Sequence, residues 1–259
     1  MDIGTGLALF GSAKIIEKLL GPTADYIGEG VKTLAEKRIH NIRKIFDIAT
    51  QRLGNKINDK GSVPPKILKC ILEEGSFCND SLSAEYFGGV LASSRSEISR
   101  DDRGSALINL ISCLSTYQIR THYIFYHMIK STFNGEDINI NSSAGRNKME
   151  IYIPFSSYLT AMDFGEKEKV GVIVPHIAFG LDKEKLIEAW RYGPKDDITK
   201  YFNKAQDDGL ILKPSVLGVE LFLWSYGKGD LPINNFLNSE INFELSKEIS
   251  IVPGFQRTK

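Results

Sequence analysis

The sequence predicts a mainly α protein, with an N-terminal helical bundle followed by an α+β, winged-helix-like C-terminal part. Three observations carry this reading. Apolar residues recur at helical spacing from Leu7 to Met128, with no alternating pattern between them. Short β-branched runs first appear beyond an Asn/Ser/Gly-rich stretch at 134–147. Charge also divides: residues 1–130 hold 17 basic and 14 acidic side chains, and residues 131–259 hold 15 and 18. Two units are therefore expected, 1–133 and 134–259.

Taken in order, the first helix carries Leu7, Phe10, Ile15, Ile16, Leu19 and Leu20 on one stripe, and Gly21-Pro22 ends it. The second runs from about residue 24 to residue 53, with Ile27, Val31, Leu34, Ile42, Ile45, Phe46 and Ala49 on its apolar side and Gly54 as its stop. Pro64-Pro65 suits a helix first turn, after which Ile67, Leu68, Ile71 and Leu72 recur. Asn79 or Asp80 caps the next helix, whose face is Leu82, Tyr86, Phe87, Val90 and Leu91. Gly88-Gly89 inside it costs about 1 kcal/mol per glycine relative to alanine, a cost that close helix approach explains. Residues 93–103 read as a loop, and Leu107, Leu110, Ile111 and Leu114 as a further helix. Ser115-Thr116-Tyr117-Gln118 is a capping box that opens a helix reaching Met128. Leu68, Ile71, Phe87, Leu91, Leu110 and Leu114 are the expected bundle core.

In the second half, residues 149–155 and 170–174 read as strands. Helical spacing returns at Leu186, Ile187 and Trp190, and again at Ile198, Phe202 and Ala205. Residues 209–212 form a strand-like stub and 215–226 a closing helix, the order of an abbreviated winged helix. The tail alternates only in part and is read as adding strands to an existing edge.

Composition excludes several function classes. Of 259 residues, 32 are basic and 32 acidic, so no global field steers the chain toward nucleic acid or anionic lipid. Cys70, Cys78 and Cys113 form no C-x-x-C pair, which fits reduced thiols in a cytoplasm. No basic n-region precedes the uncharged run 3–13, which is shorter than the ~20 residues of a membrane span. A cytoplasmic protein is expected, with peripheral membrane attachment as the alternative.

Chemical motifs are sparse. Residues 6–14 resemble a phosphate loop, but Lys14 is displaced from the second glycine and no strand precedes it. Gly28-Glu29-Gly30 lies within a helical pattern and so fails as a dinucleotide fingerprint. His122 and His127, five apart on a helix, do not share a face for a metal. No local catalytic signature exists, and no catalytic residue, cofactor or metal is assigned; the balance leans away from an enzyme.

Two surfaces remain as candidate contacts. Lys32, Lys37, Arg38, Arg43 and Lys44 form a basic patch suited to phosphates or a partner, with the solvated face of a helix as the bland explanation. Gly4, Leu7, Phe10 and Gly11 offer an apolar, small-residue surface for an oligomer or a membrane. The supposed recognition stretch 195–208 sets Lys195, Lys200 and Lys204 against Asp196, Asp197, Asp207 and Asp208. That negative balance disfavours DNA and points to protein contacts.

Residues 21–49 (GPTADYIGEGVKTLAEKRIHNIRKIFDIA), 63–75 (VPPKILKCILEEG), 79–94 (NDSLSAEYFGGVLASS) and the stretch LINLISCLSTYQIR resemble the Abi-alpha family of bacterial abortive-infection proteins. DDGLILKPSVLGVELFLWSYG resembles that family's C-terminal ending, while residues 134–179 find no counterpart. The resemblance covers about half the chain and implies a bacterial anti-phage role. It brings no catalytic residues. The expected function is non-enzymatic phage defence through protein or membrane contacts, with a protein partner or self-association ahead of a membrane surface and nucleic acid behind both. The alternatives are a nucleic-acid-binding module using the basic helix 32–52, and an enzyme with a spatially assembled site.

Overall fold

A computed structural model describes residues 30–78, 80–98, 100–251 and 254–258. Residues 1–29, with Gly4, Leu7, Phe10, Gly11 and the 6–14 loop, lie outside the described residues, as does Asn79. Over the described residues the protein is mainly helical, with a small four-stranded antiparallel sheet in its C-terminal part.

Local chemistry sets most helix ends. α1 (Gly30–Leu53) stops where Gly54 takes a left-handed φ of +52°, a conformation glycine adopts without a Cβ penalty. α2 (Pro65–Glu73) begins on its proline, whose missing N–H is unneeded in a first turn. α3 (Ser81–Ser93) is capped by Asp80, whose carboxylate accepts from the Ser83 N–H at 2.9 Å. α4 (Gly104–Cys113) turns sharply into α5 (Thr116–Thr132), where both halves of the expected capping box form. The Gln118 N–H donates to Ser115 Oγ, and the Ser115 N–H donates to Gln118 Oε1 at 2.8 Å.

The Gly88-Gly89 pair has the role its cost suggested. A Cβ on Gly88 would fall 2.6 Å from Ile48 Cγ2 of α1. On Gly89 it would fall 1.8 Å from the Ser225 carbonyl oxygen at the end of α10 (Val216–Ser225). Adjacent glycines on α3 thus admit one helix on each side. Only the absence of both side chains allows this spacing.

The core corrects part of the expected list. Ile71, Phe87, Leu91 and Leu114 are buried and Leu110 partly so, but Leu68 remains 37% exposed. Phe46 is likewise exposed, being one residue, and so about 100° around the helix, from buried Ile45. α5 is buried on nearly every side, and one apolar core runs from Ile45 to Ile249.

Beyond α6 (Ser143–Lys148), β1 (Ile151–Pro154) falls within the expected strand and leads into α7 (Phe155–Met162). Two expectations are reversed next. Residues 170–174 begin α8 (Val170–Lys183) and are not a strand, because Val174, Ile177, Ala178 and Leu181 bury at helical spacing. Residues 187–190 belong to β2 (Ile187–Gly193) and not to a helix. Lys185, at φ +58°, ends the helical path, and β2 then pairs antiparallel with β3 (Gly209–Pro214). The expected helix over 198–205 shrinks to one turn, α9 (Lys195–Ile198). Ile198, Phe202 and Ala205 are buried all the same, around Tyr152 and Ile211 on the second face of the sheet. Among its described residues the tail adds one short strand, β4 (Gln256–Arg257), giving the sheet order β2-β3-β1-β4.

Candidate functional site

The basic positions of α1 are drawn partly into the fold. Arg38 donates from Nε to Ser76 Oγ at 3.0 Å and lies over the Phe77 ring, 4.5 Å from its centre. Arg52, in the last turn, sits 4.4 Å over Tyr226 and 3.6 Å from Glu85. Arg43 is exposed, Lys37 and Lys44 are half-buried, and of Lys32 only its place in α1 is described. Arg43 and Lys44, being consecutive, point to different sides of the helix. Lys37 and Lys44, seven apart, share a side of α1 that Arg43 does not.

A different surface stands out on α8. Its inner side is buried, while Val172, His176, Phe179 and Lys183 form an exposed stripe at spacings of four, three and four residues. Val172 is 68% and Phe179 62% exposed, more than any other large apolar side chain among the described residues. Phe179 meets Trp190 of β2 edge-on at 5.0 Å, and Trp190 stacks on Tyr192 at 5.7 Å with 12° between the rings. Helix and strand thus share an aromatic ridge. Their pairing follows from the Lys185 turn, which folds β2 back beside α8.

Beside this ridge lies a cleft of about 370 Å³ between the α4–α5 corner and α8, lined by Cys113, Ser115, Gln118, His176, Gly180 and Lys183. His176 Nε2 is 3.2 Å from Ser115 Oγ, and Gln118 Nε2 donates to the His176 carbonyl at 3.2 Å. Ser115 is already engaged as the cap of α5, and among the described residues nothing bonds the other ring nitrogen of His176. A serine nucleophile needs a base that a third group orients, so the pair is a packing contact between two helices. A second cleft, also about 370 Å³, is lined by Lys56, Lys60, Arg95 and Arg103 against Asp59, Asp101 and Asp230. There Arg95 donates to the carbonyls of Lys56, Ile57 and Asp59, Arg103 pairs with Asp101, and Lys56 pairs with Asp230.

His122 and His127 are interior residues. His122 lies between the Tyr86 hydroxyl at 2.6 Å and the Gly218 carbonyl at 3.0 Å, and His127 Nε2 is 2.6 Å from the Tyr226 hydroxyl. Burial pushes both imidazoles down to about 3, with Arg52 adding to the effect at His127. They are neutral hydrogen-bonding groups of the core. Among the described residues no cluster of His, Cys, Asp and Glu could hold a metal, and no helix is long and apolar enough to cross a membrane.

Sequence reading missed the α8 ridge because the run Val-Gly-Val-Ile-Val has the composition of a strand. The signal that finds it is the spacing of Val174, Ile177, Ala178 and Leu181, which leaves Val172 and Phe179 on the opposite side. No protein-family profile, no curated protein and no solved structure matches the chain.

Proposed function

We propose that this protein is a non-enzymatic phage-defence factor of Abi-alpha type that acts by docking a protein partner on α8. The observation that carries the reading is the ridge formed by exposed Val172, Phe179 and Tyr192 with half-buried Trp190. Large apolar side chains gathered in one place mark interaction sites far more strongly than scattered ones.

Topology supports the same reading. From α6 the order is helix, β1, α7, α8, β2, a connection at 194–208, and β3, with β3 lying between β2 and β1. This order is compatible with a winged helix, and on that reading α8 would take the recognition position and residues 194–208 the wing. The charge balance of residues 195–208 thus belongs to the connection between β2 and β3 and not to a helix that could lie in a groove. α8 itself carries only Asp182 and Lys183 as charges. A nearly neutral helix that presents Val172 and Phe179 lacks the cations that hold a DNA backbone. Protein contact therefore remains the preferred mode, for a different reason than the acidic run suggested. The resemblance of 63–75 and its flanking segments supplies the biological setting.

The test is site-specific crosslinking in infected bacterial cells. A photoreactive amino acid at position 179 should give a discrete, protease-sensitive adduct, and the same group at Lys204 in the wing should not. A nuclease-sensitive adduct at 179, or none at all, contradicts the proposal.

A further inference from the structure

Residues 238–250 cross the groove between α3, α5 and α10 without forming a helix or strand. They are held by side chains of the groove that bond to main-chain atoms of the segment. Lys130 Nζ donates to the Asn238 carbonyl at 2.6 Å, and the Tyr226 hydroxyl donates to the Glu244 carbonyl at 2.8 Å. The Ser246 N–H donates to the Tyr123 hydroxyl at 2.6 Å, and Arg120 donates to the Glu248 carbonyl at 3.3 Å. Tyr226 is supported from behind by His127.

Two side chains of the segment are buried, and Ile241 packs half-buried against the core beside them. Phe243, 6% exposed, lies among Phe222, Tyr226 and Phe236, with Lys130 Nζ 5.6 Å from its ring centre. Ile249, 4% exposed, is the second anchor. Between them Glu244, Lys247 and Glu248 face outward, and Leu245 is 40% exposed.

Main-chain capture together with two apolar anchors is how proteins bind extended peptides: the backbone bonds give affinity and the anchors give specificity. We infer that this groove is a peptide-binding site, filled in the resting chain by its own segment. Its ligand class is an extended peptide with an aromatic residue followed six positions later by an aliphatic one. Because the tether holds the internal segment at an effective concentration in the millimolar range, a free peptide competes poorly until the segment is loosened. The site is separate from α8 and stands or falls independently of it.

The probe is a fluorescein-labelled peptide with the sequence of residues 238–250, titrated by anisotropy into full-length chains. Phe243→Ala and Ile249→Ser each open one anchor, and each variant should bind the peptide at least about tenfold more tightly than the wild-type chain. Replacing the phenylalanine of the peptide by alanine should remove that gain for Phe243→Ala, since the peptide ring refills the vacated pocket. If Phe243→Ala fails to fold, Ile249→Ser decides alone. A folded variant that binds no better than wild type overturns the inference. So does loss of fold in both, which would make the segment an inseparable part of the core.

Discussion

Alanine at Gly89 is expected to destabilise the protein by about 3 kcal/mol, the upper end of the usual cost of overpacking. Its Cβ would meet the Ser225 carbonyl oxygen at 1.8 Å, and that oxygen belongs to the backbone of a neighbouring helix, so α3 and α10 must move apart. The helix-propensity gain from replacing glycine, about 1 kcal/mol, does not offset this. Gly88→Ala is the control. Its Cβ would meet Ile48 at 2.6 Å (Cγ2) and 2.7 Å (Cβ) and the Ile45 carbonyl oxygen at 3.0 Å, so it is crowded too, but less severely than at Gly89. Urea unfolding of the two variants should show both midpoints below wild type and the Gly89 midpoint the lower of the two. Equal midpoints would mean that α10 does not approach α3 as closely as the structure has it.

The second large effect is acid sensitivity. His122 and His127 have folded values of about 3, below the ordinary 6.5. The unfolded chain therefore binds their protons first as pH falls. Their contribution is complete above about pH 6.5 and is lost progressively toward pH 3. Each pH unit below 6.5 costs about 1.4 kcal/mol per histidine, so pH 5 should remove about 4 kcal/mol for the pair. Glu85 opposes this weakly. Burial raises its carboxyl despite Arg52 nearby, so its protonation in the acid range favours the folded state. Urea titrations at pH 7.5 and 5.0 measure the difference, and stability unchanged between them would contradict the neutral, enclosed imidazoles.

The sequence was most legible where one residue type answers one local need. Gly54 had to end α1, Pro65 fitted a first turn, and Ser115 with Gln118 closed the capping box; each is a bond or a dihedral that a short stretch specifies. The Gly88-Gly89 pair was legible as a packing device, although its two neighbours were not, since Ile48 and Ser225 lie far away along the chain. Elements whose identity depends on distant partners were misread. β-branched residues in 170–174 suggested a strand, but burial against α5 makes a helix there. Trp190 fitted a helical spacing by coincidence, and pairing with β3 makes it a strand residue. The connection between β2 and β3 misled for the same reason: Ile198, Phe202 and Ala205 repeat every three or four residues because they gather on Tyr152, not because they share a helix. The candidate site inherits these errors. A ridge built from α8 and β2 exists only once both elements are correctly assigned and the Lys185 turn lays them side by side.

The central claim is that the α8 ridge carries phage defence by contacting a protein. Phage plating on bacteria that express the wild-type chain, compared with the double substitution Val172→Glu and Phe179→Glu, tests it most directly, with host survival followed in parallel. Both side chains are largely exposed, so the substitutions should leave thermal stability within about 0.5 kcal/mol of wild type. The account predicts that the wild-type chain lowers plaque counts and that the doubly substituted, equally stable chain does not. Undiminished protection by the substituted chain, or no protection by the wild-type chain, would contradict it.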